Sequence, residues 1–402
     1  MAAKLDNAPV AVDFREVDVV FGDRAEEALG LMDRGASRDD INAETGAVVA
    51  VRGATMSVRR GELCVLMGLS GSGKSSLLRC VNRLNHVSRG RLFVNEADGR
   101  GGIDVTSCDA GELRRLRTHR IAMVFQQFGL LPWRTVAENV AFGLELQGTP
   151  KARRRRVVDE KLKLVGLERW ADRYAAELSG GMQQRVGLAR AFATDADILL
   201  MDEPYSALDP LIRSHLQDSL LELQHELQKT IIFVSHDLDE ALKLGDHIAI
   251  MRDGAIVQYG TPQDIVLNPA DDYVTAFVQH VNPLNVLCGD ALMRPLEDLA
   301  PAPAGGVALD PLARLAARRN GDGRFAVTCD GRAVTPRPVT EALTPADVAC
   351  EDVLAAPLTI PLRRAIEFRH RSDWPLLLVE DGHLVGIVDD ADIYRAIMGR
   401  RG

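Results

Sequence analysis

Residues 68–75 read Gly-Leu-Ser-Gly-Ser-Gly-Lys-Ser, a complete G-x-x-x-x-G-K-[ST] phosphate-binding loop. The stretch constrains the fold because such a loop works where a strand turns into a helix. Both flanks are present. Leu63-Cys64-Val65-Leu66-Met67 is a short apolar run that reads as a buried strand, and Leu77, Leu78, Val81 and Leu84 mark one side of a following helix. Gly68, Gly71 and Gly73 remove Cβ atoms where an anion must come close to the backbone. The N–H groups of the loop and the helix N-terminus then point at that anion. Lys74 can reach β- and γ-phosphates as a compact cation, and the Ser75 hydroxyl can ligate Mg2+.

Composition sets the outer bounds. A chain of 402 residues has room for two or three domains, each with its own core. At 46% hydrophobic and 26% charged residues it is ordinary globular material. No apolar stretch approaches the roughly 20 residues that span a bilayer. The N-terminus, Met1-Ala2-Ala3-Lys4-Leu5-Asp6, lacks the apolar core of a signal peptide. A formal net charge of -9 argues against a nucleic-acid partner, leaving only a local basic patch as a route to one. Cys64, Cys80, Cys108, Cys288, Cys329 and Cys350 are scattered and never in C-x-x-C spacing. That argues against zinc and against a disulfide framework, and fits a reducing compartment. Cys64 and Cys80 sit in apolar patterns and read as small core residues.

Taken in order, residues 1–11 are a loose lead-in, and Val12 to Phe21 mostly alternate as a strand does. Two short helices are expected between Asp23 and Gly46, the second introduced by Ser37-Arg38-Asp39-Asp40, a capping box with Asp in place of Glu. Val48 to Val58, Arg91 to Val94 and Ile121 to Phe125 read as strands, the last ending at Gln126-Gln127; Gly99-Arg100-Gly101-Gly102 reads as a turn. Residues 136–192 are dominantly helical and include Lys151-Ala152-Arg153-Arg154-Arg155-Arg156. Such a run reads as a solvated helix face, with anionic headgroups or an acidic partner as the alternative. Ile198 to Met201 and Ile231 to Val234 are further buried strands, closed by Asp202-Glu203 and by Ser235-His236-Asp237. Ile248 to Tyr259 reads as a β-hairpin around Asp253-Gly254. Strands alternating with helices and ending in polar residues predict an α/β fold with a parallel sheet that binds ligands at its carboxyl ends. Composition shifts near Val281, Pro301 to Gly306 reads as a linker or loop, and residues 375–397 give strand, turn, strand and a helix from Asp390, a separate small α/β domain.

Further motifs narrow the chemistry. Leu178-Ser179-Gly180-Gly181-Met182-Gln183-Gln184 precedes a helix expected from about Arg185, where small residues again build an anion site. Asp202 at a strand end suits a metal, directly or through water, and Glu203 beside it suits a general base. Ser206-Ala207-Leu208-Asp209 follows, and His236 ends the next strand.

These motifs, in this order and in matching elements, resemble the ABC ATPase family from about Val12 to about Pro283. The resemblance implies a P-loop NTPase core with a β-rich N-terminal part, a helical insert at 24–46 and a helical subdomain at about 127–190, all within residues 1–283. It implies that Gly68, Ser70, Gly71, Ser72, Gly73, Lys74, Ser75 and Ser76 bind the phosphates of ATP. It makes Gln126 a Q-loop glutamine near Mg2+ and the attacking water, and Asp202, with Ser75, a Mg2+ residue. Glu203 becomes the catalytic carboxylate, Asp209 the D-loop aspartate and His236 the switch histidine, with Lys74 stabilising transferred charge. Ser179, Gly180 and Gly181 would contact the γ-phosphate of ATP held by another protomer, which implies a head-to-tail homodimer. Val20-Phe21-Gly22 is similar to the family's aromatic-Gly position, so Phe21 is the candidate to stack on adenine, against a plain core phenylalanine.

The helices between Phe21 and Val51 resemble those of the quaternary-amine uptake group, importers of glycine betaine, choline and proline betaine. Val81 to Gly90 and Leu130-Leu131-Pro132-Trp133-Arg134-Thr135-Val136 look most like the choline importer ATPase, with a glycine betaine/proline importer as the alternative. An ATP-gated regulatory module or a soluble ABC ATPase without a permease is the rival of another class. The resemblance implies transmembrane permease subunits docking around Gln126 to Trp133, a periplasmic solute-binding protein, no nucleic acid, and a peripheral place at the cytoplasmic face of the bacterial inner membrane. Residues 284–402 resemble a CBS-like regulatory or dimerisation tail: Ala355 to Met398 resembles one module, and Ala304 to Val339 a degenerate one that keeps Phe325-Ala326-Val327.

Overall fold

The computed structural model describes residues 8–96, 101–126, 129–279, 281–303, 305–319, 325–340 and 342–398, apart from the side chains at 223, 225 and 285. Residues 1–7 of the expected lead-in, Gly99 and Arg100 of the expected turn, and Gln127 lie outside these residues; the rest of the lead-in runs into a strand that begins at Val10. The chain divides into two compact units, 1–265 with 270–274, and 266–269 with 275–402. This is earlier than the boundary expected after residue 283. The helix Asp272–Val278 runs across the divide, so the break falls inside an element that composition does not mark.

The first unit opens with strand β1 (Val10–Phe21), helices α1 (Ala25–Asp33) and α2 (Arg38–Thr45), and strands β2 (Val48–Arg59) and β3 (Leu63–Met67). The core parity of β1 switches between Phe14 and Val17, and the structure gives the reason. Phe14 pairs with Met56 and Val17 with Ala54, so β1 spends an extra residue there, and Glu16 takes φ 51. A bulge of this kind re-aims the residues that follow, which keeps both Phe14 and Val17 buried. After β3 come α3 (Lys74–Cys80), β4 (Arg89–Asn95), β5 (Gly102–Asp104), α4 (Ala110–Arg115) and β6 (Ile121–Val124).

The helical part comprises α5 (Val136–Leu146), α6 (Lys151–Leu164) and α7 (Gly180–Ala193). Thr135 and Glu138 form a capping box at the start of α5. The basic run opens α6 as a largely exposed face, with Arg154 paired to Glu145 at 2.9 Å. Then follow β7 (Ile198–Asp202), α8 (Pro210–Leu227), β8 (Thr230–Val234), α9 (Leu238–Leu244), β9 (His247–Arg252) and β10 (Ala255–Gly260).

Two sheets result. One is antiparallel, in the order β2-β1-β4-β5; the other runs β10-β9-β3-β8-β7-β6, with β10 antiparallel and the rest parallel. Every residue of β3, β7 and β8 is buried, as strands covered on both faces must be. A shared core that includes Phe14, Leu66, Leu77, Leu92 and Ile232 joins the two sheets. Cys64, Cys80 and Cys108 are buried and unpaired.

An ion cluster helps to fasten the insert, beside apolar packing of Leu31, Met32 and Ile41 against Val20 and Val49. Asp18 is 2% exposed; it accepts the Gly53 N–H at 2.6 Å and Arg89 Nε at 2.6 Å. Arg89 reaches on to Asp33 of α1 at 2.8 Å. Ser37 caps α2 by accepting the Asp40 N–H, but the return bond runs from the Ser37 hydroxyl to the Asp40 carboxylate, so only half of the expected box forms.

In the second unit, Pro301 to Gly306 closes on itself, with the Ala302 N–H donating to the Gly306 carbonyl at 3.0 Å, as a loop rather than an interdomain linker; Ala304 lies outside the described residues. Beyond the two-residue strand β11 (Arg294–Pro295), four strands, β12 (Val307–Ala308), β13 (Leu315–Arg319), β14 (Phe325–Cys329) and β15 (Arg332–Val334), form an antiparallel sheet. Among the described residues from 305 to 339 there is no helix, so the segment that resembles a degenerate module is a meander of strands. The chain continues through β16 (Arg337–Pro338), β17 (Leu354–Pro357), α10 (Leu362–Arg369), β18 (Leu376–Glu380), β19 (His383–Val388) and α11 (Asp390–Met398). Here β17 pairs parallel with β18 and β18 antiparallel with β19, over a core holding Leu362, Phe368, Leu376 and Ile393.

The two carboxylates on Arg89 predict unequal costs. Asp18→Ala removes the buried carboxylate that holds the Gly53 N–H and the Arg89 guanidinium, two hydrogen bonds to a charged group, and should lower the stability of the first unit by about 1–3 kcal/mol. Asp33→Ala removes an exposed pair and should cost under about 1 kcal/mol. Urea titration of both variants, read on the transition of the first unit, checks the ordering.

Candidate functional site

The phosphate loop hangs from the carboxyl end of β3 and is pinned by glycine. Gly68 takes φ 144 and Gly73 φ 101; a Cβ would strike the Met251 carbonyl oxygen at the first and the Ala50 carbonyl oxygen at the second. Ser70 and Gly71 are exposed, Ser72 and Lys74 buried, and Ser75 and Ser76 half-buried on the first turn of α3. The Lys74 ammonium donates to the carbonyls of Gly68 at 2.8 Å and Leu69 at 2.9 Å. Burial lowers its pKa, while Glu203 and Asp202 pull it back up. Lys74 is thus held within the loop by backbone oxygens, facing the acidic end of β7.

Asp202 ends β7 with a carboxylate that is fully buried. One oxygen accepts the Ser75 hydroxyl at 2.7 Å; the other accepts Arg79 Nη2 at 2.8 Å and Nε at 3.1 Å. A hydroxyl and a carboxylate oxygen brought together form a hard donor pair of the kind Mg2+ takes alongside phosphate oxygens and water. Among the described residues no cluster of three His, Cys, Asp or Glu side chains offers an all-protein metal cage. The donor set therefore fits Mg2+ held jointly with a nucleotide.

One residue on, Glu203 bends into the left-handed region at φ 47, a conformation costly for a side chain with a Cβ. Its N–H donates to the Val234 carbonyl at 3.2 Å, tying it to the end of β8. Its carboxylate accepts Gln126 Nε2 at 3.0 Å and has His236 Nδ1 at 3.7 Å. Three strand ends, β6, β7 and β8, thus bring Gln126, Glu203 and His236 to one point. His236 is 64% exposed in its side chain, while Ser235 beneath it is buried and bonded to the Glu240 carboxylate at 2.5 Å. The small cleft here is also lined by Tyr205, Ser206 and Arg213.

Other expected residues stand apart. Ser179 begins α7, which starts at Gly180 rather than near Arg185; its hydroxyl makes no capping bond, and Ser179 and Gly180 are exposed. Asp209 caps α8 by accepting the Ile212 N–H at 3.0 Å. Phe21 is 42% exposed at the end of β1, so it is not a core phenylalanine. Two residues to which the sequence motifs assign no role are joined to the site: Arg79, on Asp202, and Gln184, bonded to the Glu203 carbonyl at 3.1 Å. Spacing carried a trace of each. Arg79 lies four residues after Ser75 on one helix, and Gln184 shares a buried helical stripe with Leu188 and Ala191.

Comparison with known proteins places the chain in a family. A family model described as ABC transporter matches residues 51–206. The chain is 41% identical over 396 residues to the glycine betaine/carnitine transport ATP-binding protein of Listeria monocytogenes serotype 1/2a, covering 96% of this chain and 98% of that one. It is 47% identical over 293 residues to the glycine betaine transport ATP-binding protein of Bacillus subtilis, covering 73% of this chain and 69% of that one. It is 47% identical over 283 residues to a trimethylamine N-oxide transport system ATP-binding protein of Ruegeria pomeroyi, covering 70% and 81%. A solved bacterial ABC transporter cassette in dimeric form matches with a TM-score of 0.54 and 29% identity over 62% of this chain and 98% of that one. With the phosphate loop, the signature at Ser179–Gly181 and the Asp202–Glu203 strand end in one such chain, the protein belongs to the ABC transporter ATP-binding proteins, ATPases coupled to transport, in the branch that serves quaternary-amine uptake.

Proposed function

We propose that this chain hydrolyses ATP to drive import of a betaine-type methylated amine. The observation that carries the hydrolytic half is the meeting of Gln126 and His236 on the Glu203 carboxylate, at 3.0 and 3.7 Å, beside the phosphate loop. Gly68, Ser70, Gly71, Ser72, Gly73, Ser75 and Ser76 cradle the phosphates, and Lys74 offsets charge on the transferred group. Ser75 and Asp202 would hold Mg2+, with Gln126 near it, and the ion would supply positive charge to offset that of the phosphates. Glu203 orients or deprotonates the attacking water, and His236 stands on its open side. Phe21, exposed at a strand end, offers a ring face to adenine. Ser179 and Gly180, exposed at an uncapped helix start, and Gly181 beside them meet the γ-phosphate of ATP on a second protomer in a head-to-tail homodimer, with Asp209 at the same junction. Similarity to a cassette solved as a dimer supports that arrangement.

Relatives named for glycine betaine, carnitine and trimethylamine N-oxide support a betaine-type solute, with choline, favoured by the motif at Leu130 to Val136, as the competing solute. Permease subunits are the natural partners of the helical part, where Trp133 is 70% and Leu146 61% exposed, since such apolar exposure marks contact surfaces. Among the described residues no helix is long and apolar enough to cross a membrane. On this reading the chain sits peripherally, held by its permease at the cytoplasmic face of the bacterial inner membrane and fed by a periplasmic solute-binding protein, as relatives named as transport ATP-binding proteins support. The second unit serves as a CBS-like regulatory or dimerising tail, supported by the β-α-β-β-α order of Leu354 to Met398.

Two measurements test this. Glu203→Gln should bind ATP as the parent does, while its phosphate release falls on the order of a hundredfold or more; parent-like turnover would remove the base assignment. In a host lacking only this gene, uptake of labelled glycine betaine and carnitine should be lost and return with the wild-type gene but not with Glu203→Gln. Loss of choline uptake alone would move the solute to choline.

A further inference from the structure

Gln184 is 1% exposed, in the second turn of α7. Its side-chain amide makes two bonds to one turn of another element. Nε2 donates to the Glu203 carbonyl at 3.1 Å, and Oε1 accepts the Ala207 N–H at 3.0 Å. A primary amide suits this position because donor and acceptor lie on one rigid plane. Between its two bonds the chain carries the left-handed Glu203, φ 47, a conformation that persists where the surroundings fix it. The Ser206 hydroxyl also donates to the Glu203 carbonyl, at 3.1 Å. That bond arises inside the turn and ties it to nothing else; Gln184 reaches it from a separate helix. Gly181 of α7 also lies against this turn, since a Cβ there would stand 3.1 Å from the Ala207 carbonyl oxygen. The helix therefore touches the turn at two levels, and the same helix begins at the uncapped Ser179.

We propose that Gln184 is a positioning residue for hydrolysis: it fixes the Glu203–Ala207 turn that aims the Glu203 carboxylate, and it makes that turn follow α7. This rests on the reading above in which Ser179–Gly181 meet ATP on the second protomer. Nucleotide held by one protomer then reaches the carboxylate serving the other site through one buried amide.

The test uses the full-length protein, with kcat, KM and Hill coefficient for ATP, and direct ATP binding, for Gln184→Leu and Gln184→Glu. Gln184→Leu keeps the bulk and loses both bonds. It should bind ATP within about threefold of the parent, lose kcat by on the order of ten- to a hundredfold, and show a Hill coefficient near 1. Gln184→Glu supplies the second readout and serves if the leucine variant folds poorly. Ionised, its carboxylate still accepts the Ala207 N–H but has no donor for the Glu203 carbonyl; protonated, it regains one. Its kcat relative to the parent should therefore rise as pH falls. Parent-like kcat in both variants, or kcat and ATP binding lost together, would overturn the proposal. A fallen kcat with an unchanged Hill coefficient would overturn the coupling to α7. A Glu203→Gln protein that still turns over would overturn the hydrolytic reading and this proposal with it, whereas an inactive Glu203→Gln beside a parent-like Gln184→Leu would overturn this proposal alone.

Discussion

The Asp202 carboxylate is the junction on which the site depends. It is removed from water altogether, which costs several kcal/mol unless its lone pairs are matched. Ser75 and Arg79 match them, and both belong to the helix that springs from the phosphate loop. Charge-assisted bonds of this kind are directional as well as strong. The end of β7 is thereby locked to the start of α3, and phosphate-binding and water-activating groups hold one spacing. Arg79 is partly exposed, so the cluster is buried on the Asp202 side and open on the other.

The fold explains why these groups meet. In a parallel sheet the carboxyl ends of neighbouring strands lie side by side, and helices leave from the same edge. β3, β8, β7 and β6 are adjacent in the second sheet, so the loop at Gly68, the turn at His236, the Asp202–Glu203 pair and Gln126 are gathered by register alone. The interior of these strands is apolar and buried throughout β3, β7 and β8, and polar residues enter only at strand ends, Asp202 on β7 and Thr230 on β8. Within the site, left-handed backbone lies at the rim, at Glu203 and the loop glycines. Strain of this kind survives where the surroundings over-determine it, and here the Val234 carbonyl and Gln184 do so from either side.

Much of this was legible in the residues, and the remainder had physical reasons for being hidden. Local signals carry strands such as Leu63 to Met67, the loop itself and the Ser37 cap, because each depends on neighbours within a few positions. The change of phase between Phe14 and Val17 was visible as a broken alternation, and the bulge at Glu16 accounts for it. Partners far apart in sequence were not legible: nothing local says that Arg79 will find Asp202 or that Gln184 will span Glu203 and Ala207. The divide at 265–275 carries no compositional mark because a helix crosses it, and the antiparallel pairing of the strands from Val307 to Val334 joins residues that no local pattern links.

If Asp202 and Ser75 join the two halves of the site around Mg2+ and ATP, the metal-dependent part of nucleotide affinity must pass through that pair. The direct measurement is ATP affinity of the parent and of Asp202→Asn, each by titration calorimetry with and without Mg2+. The substitution should leave metal-free affinity near the parent value and abolish the gain that Mg2+ confers. A full Mg2+ gain in Asp202→Asn would contradict this and place the metal on other residues.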